Sequence, residues 1–304
     1  MGAFDFEPCG VLIVNKHAGC TSHDVVNKIR RLYGTKRVGH TGTLDPMATG
    51  VLVVLIGRAA KAEEYLQPGN KGYVATMRLG ITTDTEDTTG TVLTSTASLP
   101  SPDDVAEVCR EFVGRIEQIP PMYSALKVGG RKLVDIARAG GEIERKPRPV
   151  EIFSLTCEKT DIPSDYTLHV SCSGGTYIRT LCADIGKRLG CGGAMASLMR
   201  TKTCGFSIEQ SHTLASLEEM TLEQRLSLLI PVEELFSDLP AVTLPEFFEK
   251  LCRGGCEIYQ KKIGTSVAVD TRVRLYGKEG FFALGEVRDY ENGSAIKSIK
   301  IFTL

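Results

Sequence analysis

The sequence predicts an α+β fold followed by a small module made only of strands. Apolar residues recur at helical spacing between Ser22 and Tyr33, whereas residues 73–79 alternate as in a half-buried strand. Beyond residue 264 only short strand-like segments occur, at 266–269, 273–276, 281–287 and 296–302. A chain of 304 residues is long enough for two domains. Prolines that accompany the change of pattern place the expected boundary between 1–239 and 240–304.

The first strand and the first helix are predicted from residues 10–34. Residues 10–14 form the short apolar run of a buried strand. Ser22 is predicted to open and cap the helix, and Asp24 suits the positive end of the helix dipole. Gly34 is expected to end it, because glycine readily adopts the left-handed conformation found there.

The same periodicities, with glycine and proline as breakers, predict the remaining elements. Strands are predicted at 50–56, 150–158 and 166–172, and helices at 59–66, 103–112, 133–139, 177–189 and 214–235. The acidic, threonine-rich segment 82–91 is predicted to be a turn region. The segment 119–149 combines paired prolines and glycines with a basic run, which is typical of a mobile insertion.

Composition excludes several classes of protein. Apolar residues make up 42% and charged residues 24%, as in an ordinary soluble protein. The longest apolar run, 51–56, is far too short to cross a bilayer, and the acidic N-terminus does not resemble a signal peptide. None of the ten cysteines forms a C-x-x-C pair. We therefore expect a cytoplasmic protein with reduced thiols and no metal site.

Charge is unevenly distributed along a chain whose net charge is only −1. Residues 16–40 hold six lysines and arginines and one acid, and residues 127–148 hold seven against three acids. Residues 209–249 are acidic. Separate basic patches on a neutral protein are compatible with binding to a phosphate backbone, although surface charges also cluster by chance.

The most informative segment is GHTGTLDPMATG at residues 39–50. Its glycines let the backbone approach a ligand closely. Pro46 fixes its own φ and biases Asp45 away from the helical region. The spacing alone is compatible with three roles for the Asp45 carboxylate: a nucleophile, a general base or a turn cap. A turn cap is the commonest of these.

This segment resembles the signature of the TruB family of pseudouridine synthases, and the resemblance is strong over about residues 10–205. Other segments match the family in the same order: KGY at 71–73, RLG at 78–80, TDT at 83–85, QIPPMYSALK at 118–127, GTYIRT at 175–180 and LGCG at 189–192. The resemblance implies a catalytic domain with a central mixed, mostly antiparallel sheet and a thumb-loop insertion at about 124–148. The tail, 240–304, is similar to a PUA-type RNA-binding domain.

The resemblance also implies an activity, the isomerisation of a uridine to pseudouridine in the T-loop of transfer RNA. That reaction needs no cofactor and no metal. The resemblance makes Asp45 the nucleophile, and a carboxylate suits attack at a sugar carbon. Relatives that depend on a guide RNA lack a comparable thumb, so the implied partner is the tRNA T-stem-loop alone, with no guide RNA or obligate protein partner. We expect a monomer.

The resemblance assigns three further roles. Arg179 pairs with the catalytic carboxylate; by itself it could equally be a phosphate contact or a surface residue. Tyr73 stacks on the target base and takes part in proton transfer, or is an ordinary core aromatic. His40 helps to displace the base from its stack, or is a loop histidine bonded to backbone.

Three other positions match family residues on weaker grounds. Tyr177 and Leu198 match the wall of the uridine pocket, although any core contains such side chains. Lys61 is a candidate phosphate contact, with a solvated lysine as the alternative. Met199 stands where many relatives have arginine, which would remove one phosphate contact. The rival functions are a non-catalytic RNA-binding protein, a guide-dependent subunit and a glycoside hydrolase.

Overall fold

The computed structural model describes residues 7–66, 69–124 and 126–303. Its strands are β1 Gly10–Lys16, β2 Val38–His40, β3 Thr49–Ile56, β4 Lys71–Leu79, β5 Ile81–Thr83, β6 Val92–Ser95, β7 Gly114–Gln118, β8 Lys127–Val128, β9 Arg131–Lys132, β10 Arg148–Lys159, β11 Asp165–Cys172, β12 Gly193–Thr203, β13 Phe206–Ser207, β14 His212–Thr213, β15 Ala241–Thr243, β16 Ile258–Tyr259, β17 Arg272–Gly277, β18 Gly280–Tyr290 and β19 Gly293–Ile301. Its α-helices are α1 Ser22–Tyr33, α2 Pro102–Glu111, α3 Leu133–Arg138, α4 Ile178–Arg188, α5 Leu214–Glu219, α6 Leu222–Ser227, α7 Glu246–Arg253 and α8 Gln260–Ile263. Three 3₁₀ helices cover Gly57–Tyr65, Ile208–Gln210 and Val232–Phe236.

A ten-stranded sheet forms the centre of the molecule. Its main path runs β14-β1-β3-β12-β4-β11-β10-β7, with β2 paired to β3 and β13 to β12. The pairs β1–β14 and β3–β12 are parallel, and the other strand pairs of this sheet are antiparallel. The predicted α+β class with a mixed, mostly antiparallel central sheet is thus confirmed.

Helix α1 shows how local sequence ties the first helix to the loop that holds Asp45. Thr21, rather than Ser22 as predicted, is the N-cap: its Oγ1 accepts from the Asp24 amide at 3.1 Å, and Asp24 Oδ2 accepts from the Thr21 amide at 2.8 Å. The Ser22 side chain does not cap the helix. Its Oγ instead accepts from the Leu44 amide at 2.9 Å, next to Asp45. The helix ends at Gly34 in the left-handed conformation, as predicted.

Several sequence predictions were wrong in detail. The helix predicted at 59–66 is a 3₁₀ helix that covers Gly57–Tyr65, and 266–269 form no strand. The prediction missed β12 and α7 altogether. Strand β12 escaped notice because its apolar residues do not alternate simply, and its register shifts twice against β4. The helix predicted within the basic insertion exists as α3.

The C-terminal segment forms its own five-stranded sheet, in the order β15-β17-β18-β19-β16. This sheet packs around apolar side chains such as Val273 and Phe282. A second apolar cluster joins it to the central sheet, since Leu284 and Phe302 pack with Val11 of β1 and its neighbours. No helix of the described residues is long and apolar enough to span a membrane.

A test of this arrangement uses Gly50, which begins the core of β3. Gly50 has φ +98°, and a Cβ there would overlap the Arg200 carbonyl oxygen of β12. We expect Gly50→Ala to lower the free energy of unfolding by on the order of 3 kcal/mol, because strain and a backbone clash add. Gly19→Ala is the matched control, since Gly19 has φ +85° but open space around it. It should cost only about 1–2 kcal/mol, because an alanine there meets the left-handed conformation but no clash. Equal losses in urea denaturation would contradict the close β3–β12 approach.

Candidate active site

A cavity of about 270 Å³ opens where the loop before β3 meets β4, β12 and the start of α4. Five of the seven predicted site residues line it, although they come from distant parts of the chain. The residues that line it are Thr43, Leu44, Asp45, Lys71, Tyr73, Ser124, Gly175, Thr176, Tyr177, Ile178, Arg179 and Leu198. Asp45 is the only carboxylate among these described residues.

Asp45 and Arg179 form a two-pronged ion pair at this cavity. Arg179 Nε lies 3.0 Å from Asp45 Oδ2, and Nη2 donates to Oδ1 at 3.3 Å. The side chain of Arg179 is only 6% exposed, whereas that of Asp45 is 35% exposed. The buried guanidinium therefore holds the carboxylate from behind, and the carboxylate faces the cavity.

Arg179 is itself held from three sides. Its Nη2 donates to the Tyr123 carbonyl at 2.8 Å and its Nη1 to the Thr85 carbonyl at 3.2 Å. The carboxylate of buried Asp87 lies 4.0 Å from Nη1. These contacts hold the guanidinium against Asp45 and so fix the position of the carboxylate at the cavity.

Asp87 was not recognised as a site residue from the sequence, which predicted only a turn at 82–91. Its Oδ1 accepts from the Thr85 hydroxyl at 2.9 Å and from the Thr89 amide at 2.9 Å. The turn is bonded to β12 through Met195, whose amide donates to the Glu86 carbonyl at 3.0 Å. The acidic, threonine-rich composition was the available signal, but it indicates turns far more often than charge partners.

Arg200 supports the backbone that carries Asp45. It is 1% exposed, and its guanidinium donates to the carbonyls of Val51 at 2.8 Å, Gly42 at 3.0 Å and Thr43 at 3.4 Å. Sequence reasoning considered only Met199 beside it, as a position where an arginine could have bound phosphate. The buried guanidinium has its hydrogen bonds to three backbone carbonyls. Its role is structural, because these bonds fix the chain on both sides of Asp45.

Lys16, at the end of β1, holds the same loop from its other side. It is fully buried, and its Nζ donates to the carbonyls of Ala48 at 2.6 Å, His17 at 2.9 Å and Pro46 at 3.2 Å. Burial lowers the pKa of this lysine from its ordinary value. Two buried cations thus bind backbone oxygens next to Asp45 without themselves lining the cavity.

Tyr73, Tyr177 and Leu198 form much of the cavity wall. Burial raises the pKa of Tyr73 to about 12, against an opposing effect of Arg200, so its hydroxyl is protonated at neutral pH. Tyr177 is held through its backbone, since its amide donates to Gln118 Oε1 at 3.0 Å and its carbonyl accepts from Gln118 Nε2 at 3.2 Å. Leu198 lies on β12 beside Ala75 of β4.

The structure does not bring His40 and Lys61 to the cavity wall. His40 ends β2, and its Nδ1 accepts from the Gly42 amide at 3.2 Å, so it orders the loop that leads to Asp45. Burial lowers its pKa, which favours the neutral ring. Lys61 lies exposed on the 3₁₀ helix. Their roles in binding RNA stay predictions.

Comparison with known protein families identifies the class of this protein. Residues 30–178 match the model described as TruB family pseudouridylate synthase (N terminal domain). Residues 179–237 match the model described as tRNA pseudouridylate synthase B C-terminal domain. The chain therefore belongs to the TruB family of pseudouridylate synthases.

Individual relatives agree with this assignment. A protein of Clostridium kluyveri named tRNA pseudouridine synthase B is 40% identical over 96% of this chain and 99% of its own length. One of the same name from Syntrophotalea carbinolica is 45% identical over 81% of this chain and 80% of its own. Among solved structures, a chain of a Cbf5-Nop10-Gar1 complex is 26% identical, with a TM-score of 0.73 over 97% of this chain and 85% of that one.

The environment of Tyr73 predicts a pH dependence of stability. Because its folded pKa of about 12 exceeds the ordinary value of about 10, the folded state favours the neutral phenol. This contribution is fully present below about pH 10 and is lost as pH rises through about 12. We expect the advantage of wild type over Tyr73→Phe in urea denaturation to shrink across that range. A difference that stays constant with pH would show that the phenol is not buried as described.

Proposed function

We propose that this protein isomerises a uridine in the T-loop of transfer RNA to pseudouridine, with Asp45 as its nucleophile, and that it works in the cytoplasm without a cofactor. The observation that carries the proposal is the ion pair at the cavity: one carboxylate faces the pocket, and a buried arginine holds it from behind. The names of relatives of nearly the same length supply the substrate class.

The isomerisation requires from the protein a carboxylate and a wall that holds the detached base. The bond between ribose C1′ and uracil N1 breaks, the base turns, and C1′ joins C5; C5 loses a proton and N1 gains one. A carboxylate is suited to act at C1′, as carboxylates do in glycosidases. Tyr73, Tyr177 and Leu198 form part of the wall around the detached base, and contact with that wall favours rejoining to C1′ over release of the base.

Access to Asp45 requires that the uridine leave the RNA stack, at a cost of a few kcal/mol. Attraction between positive charge and the phosphates of the RNA compensates for part of that cost. Lys71 lines the cavity itself, and the basic insertion at 124–148 begins at Ser124 on the cavity wall. Affinity should therefore depend on salt, while recognition comes from the shape of the RNA loop.

The rival that acts only within a complex has one observation in its favour, the structural likeness to a chain of a Cbf5-Nop10-Gar1 complex. Against it stand relatives that match 96–97% of this chain and carry the name tRNA pseudouridine synthase B. We therefore propose stand-alone action on tRNA. A glycoside hydrolase would release a free base or sugar, which distinguishes it from an isomerase.

The deciding experiment incubates the purified chain with unmodified tRNA and maps pseudouridine by position. We expect conversion of a T-loop uridine with no added RNA or protein. Asp45→Asn should lower the rate roughly a thousandfold or more, because the nucleophile is gone, while the Kd for tRNA changes less than about threefold.

The matched control is Asp103→Asn, which alters an exposed carboxylate at the start of α2. It should leave the rate unchanged. Conversion by Asp45→Asn at the rate of the control would remove the nucleophile assignment. A requirement for an added RNA would overturn stand-alone action.

A second test concerns the insertion. Replacing residues 128–146 by an uncharged linker should weaken tRNA binding and flatten the dependence of log K on log salt, by about 0.7–0.9 for each phosphate that the protein no longer neutralises. Arg131→Gln together with Arg138→Gln keeps the loop and removes two of its charges, so it should give a smaller change in the same direction. Parallel salt lines for wild type and both variants would argue against any contact of the insertion with RNA.

A further inference from the structure

One hydroxyl group at the cavity has no use within the described part of the protein. Ser124 is 5% exposed and lines the cavity, yet its Oγ has no hydrogen-bond partner among the described residues. Four other buried side-chain polar atoms share this condition, and none belongs to a residue that lines the cavity. A buried hydroxyl left without a partner costs free energy, so its retention at this place calls for an external partner.

Two backbone hydrogen bonds hold the main chain around Ser124 at the cavity wall. The carbonyl of Tyr123 accepts from Arg179 Nη2 at 2.8 Å, and the carbonyl of Ser124 accepts from the Val134 amide of α3 at 3.1 Å. The arginine of the ion pair thus fixes Ser124 on one side, and the insertion helix fixes it on the other. Ser124 is therefore a buried residue with a fixed backbone at the cavity wall, so a ligand that bonds its Oγ need not order the chain first.

Thr176 shows the contrast within the same cavity. It also lines the wall and is also buried, but its Oγ1 donates to the Ser173 carbonyl at 2.9 Å. That hydroxyl already has its hydrogen-bond partner within the turn before α4. Among buried serine and threonine hydroxyls of the cavity wall described here, Ser124 Oγ is the one available to a ligand.

The position of Ser124 relative to Asp45 indicates which part of a nucleotide it meets. One guanidinium nitrogen, Arg179 Nη2, contacts both Asp45 Oδ1 and the carbonyl that precedes Ser124. The carboxylate and the residue just before Ser124 therefore bind the same nitrogen, which places Ser124 close to Asp45 along the cavity wall. If Asp45 acts at C1′, as the proposed function requires, the neighbouring sugar atoms lie near the carboxylate and hence near Ser124. The base then meets other parts of the wall, which include Tyr73 and Leu198.

We propose that Ser124 Oγ hydrogen-bonds the ribose 2′-hydroxyl of the target nucleotide and so selects RNA over DNA at that position. The 2′-hydroxyl stands on the carbon next to C1′ and both donates and accepts, as does a serine hydroxyl. The Oγ gains a hydrogen-bond partner only when a ribonucleotide is bound. Ser124 is therefore a specificity-determining residue. This inference rests on the proposed function, because it takes the sugar to lie beside Asp45.

A double-mutant cycle tests the contact. In an Asp45→Asn background, which prevents turnover, the Kd is measured for T-stem-loop RNA carrying either uridine or 2′-deoxyuridine at the target position. Ser124→Ala should weaken binding of the ribo form about fivefold, the effect of one hydrogen bond, and of the deoxy form less than about twofold. Melting temperatures of the variants confirm that each one folds.

Thr176→Val is the matched control, since it removes a hydroxyl from the same wall that is already bonded within the protein. Any loss of affinity it causes should be the same for both RNAs. If Ser124→Ala behaves as this control does, or changes neither Kd, the contact with the 2′-hydroxyl is disproved. Failure of the proposed function would show itself elsewhere, as absence of pseudouridine after incubation of the wild type with tRNA.

Discussion

The ion pair between Asp45 and Arg179 is the interaction on which the site depends. Burying a guanidinium to 6% exposure removes it from water, a cost that only close and well-oriented oxygens offset. Asp45 provides two of those oxygens, and the carbonyls of Tyr123 and Thr85 provide two more. The arginine therefore determines where the carboxylate, the turn at 82–91 and the base of the insertion lie relative to one another.

The other buried cations serve the same loop in a different way. Lys16 and Arg200 donate to backbone carbonyls near Asp45, so they position the loop without competing for its carboxylate. Each backbone carbonyl has a partial negative charge only, and several are needed to satisfy one cation. Among the described residues, Asp45 is then the one acid at a cavity that also contains Lys71, which suits a substrate with phosphate groups.

The cavity exists only because the central sheet brings distant segments together. Strands β3 and β12 run parallel at its middle, with Gly50 opposite Arg200, and their close approach requires a residue without a side chain at position 50. Strand β4 then places Tyr73 opposite Arg200 across the next ladder. The positions of the Asp45 loop, Tyr73 and Arg200 are thus set by strand register rather than by their order along the chain.

Sequence alone determined much of this protein. The helix α1 with its glycine end, the long strands other than β12 and the α+β class follow from local periodicity and capping, since those depend on neighbours a few residues away. The motif around Asp45, with its matching segments, identified the family and five residues that line the cavity.

Only the tertiary structure revealed Lys16, Asp87, Ser124 and Arg200 as parts of the site. Lys16 and Arg200 donate to backbone carbonyls, and Ser124 has a hydroxyl without a partner among the described residues. Because every residue type has a backbone carbonyl, no pattern of side chains in the sequence predicts such contacts. The strand wrongly predicted at 266–269 and the missed strand β12 are errors with the same cause. Pairing partners across a sheet determine whether an apolar segment forms a strand.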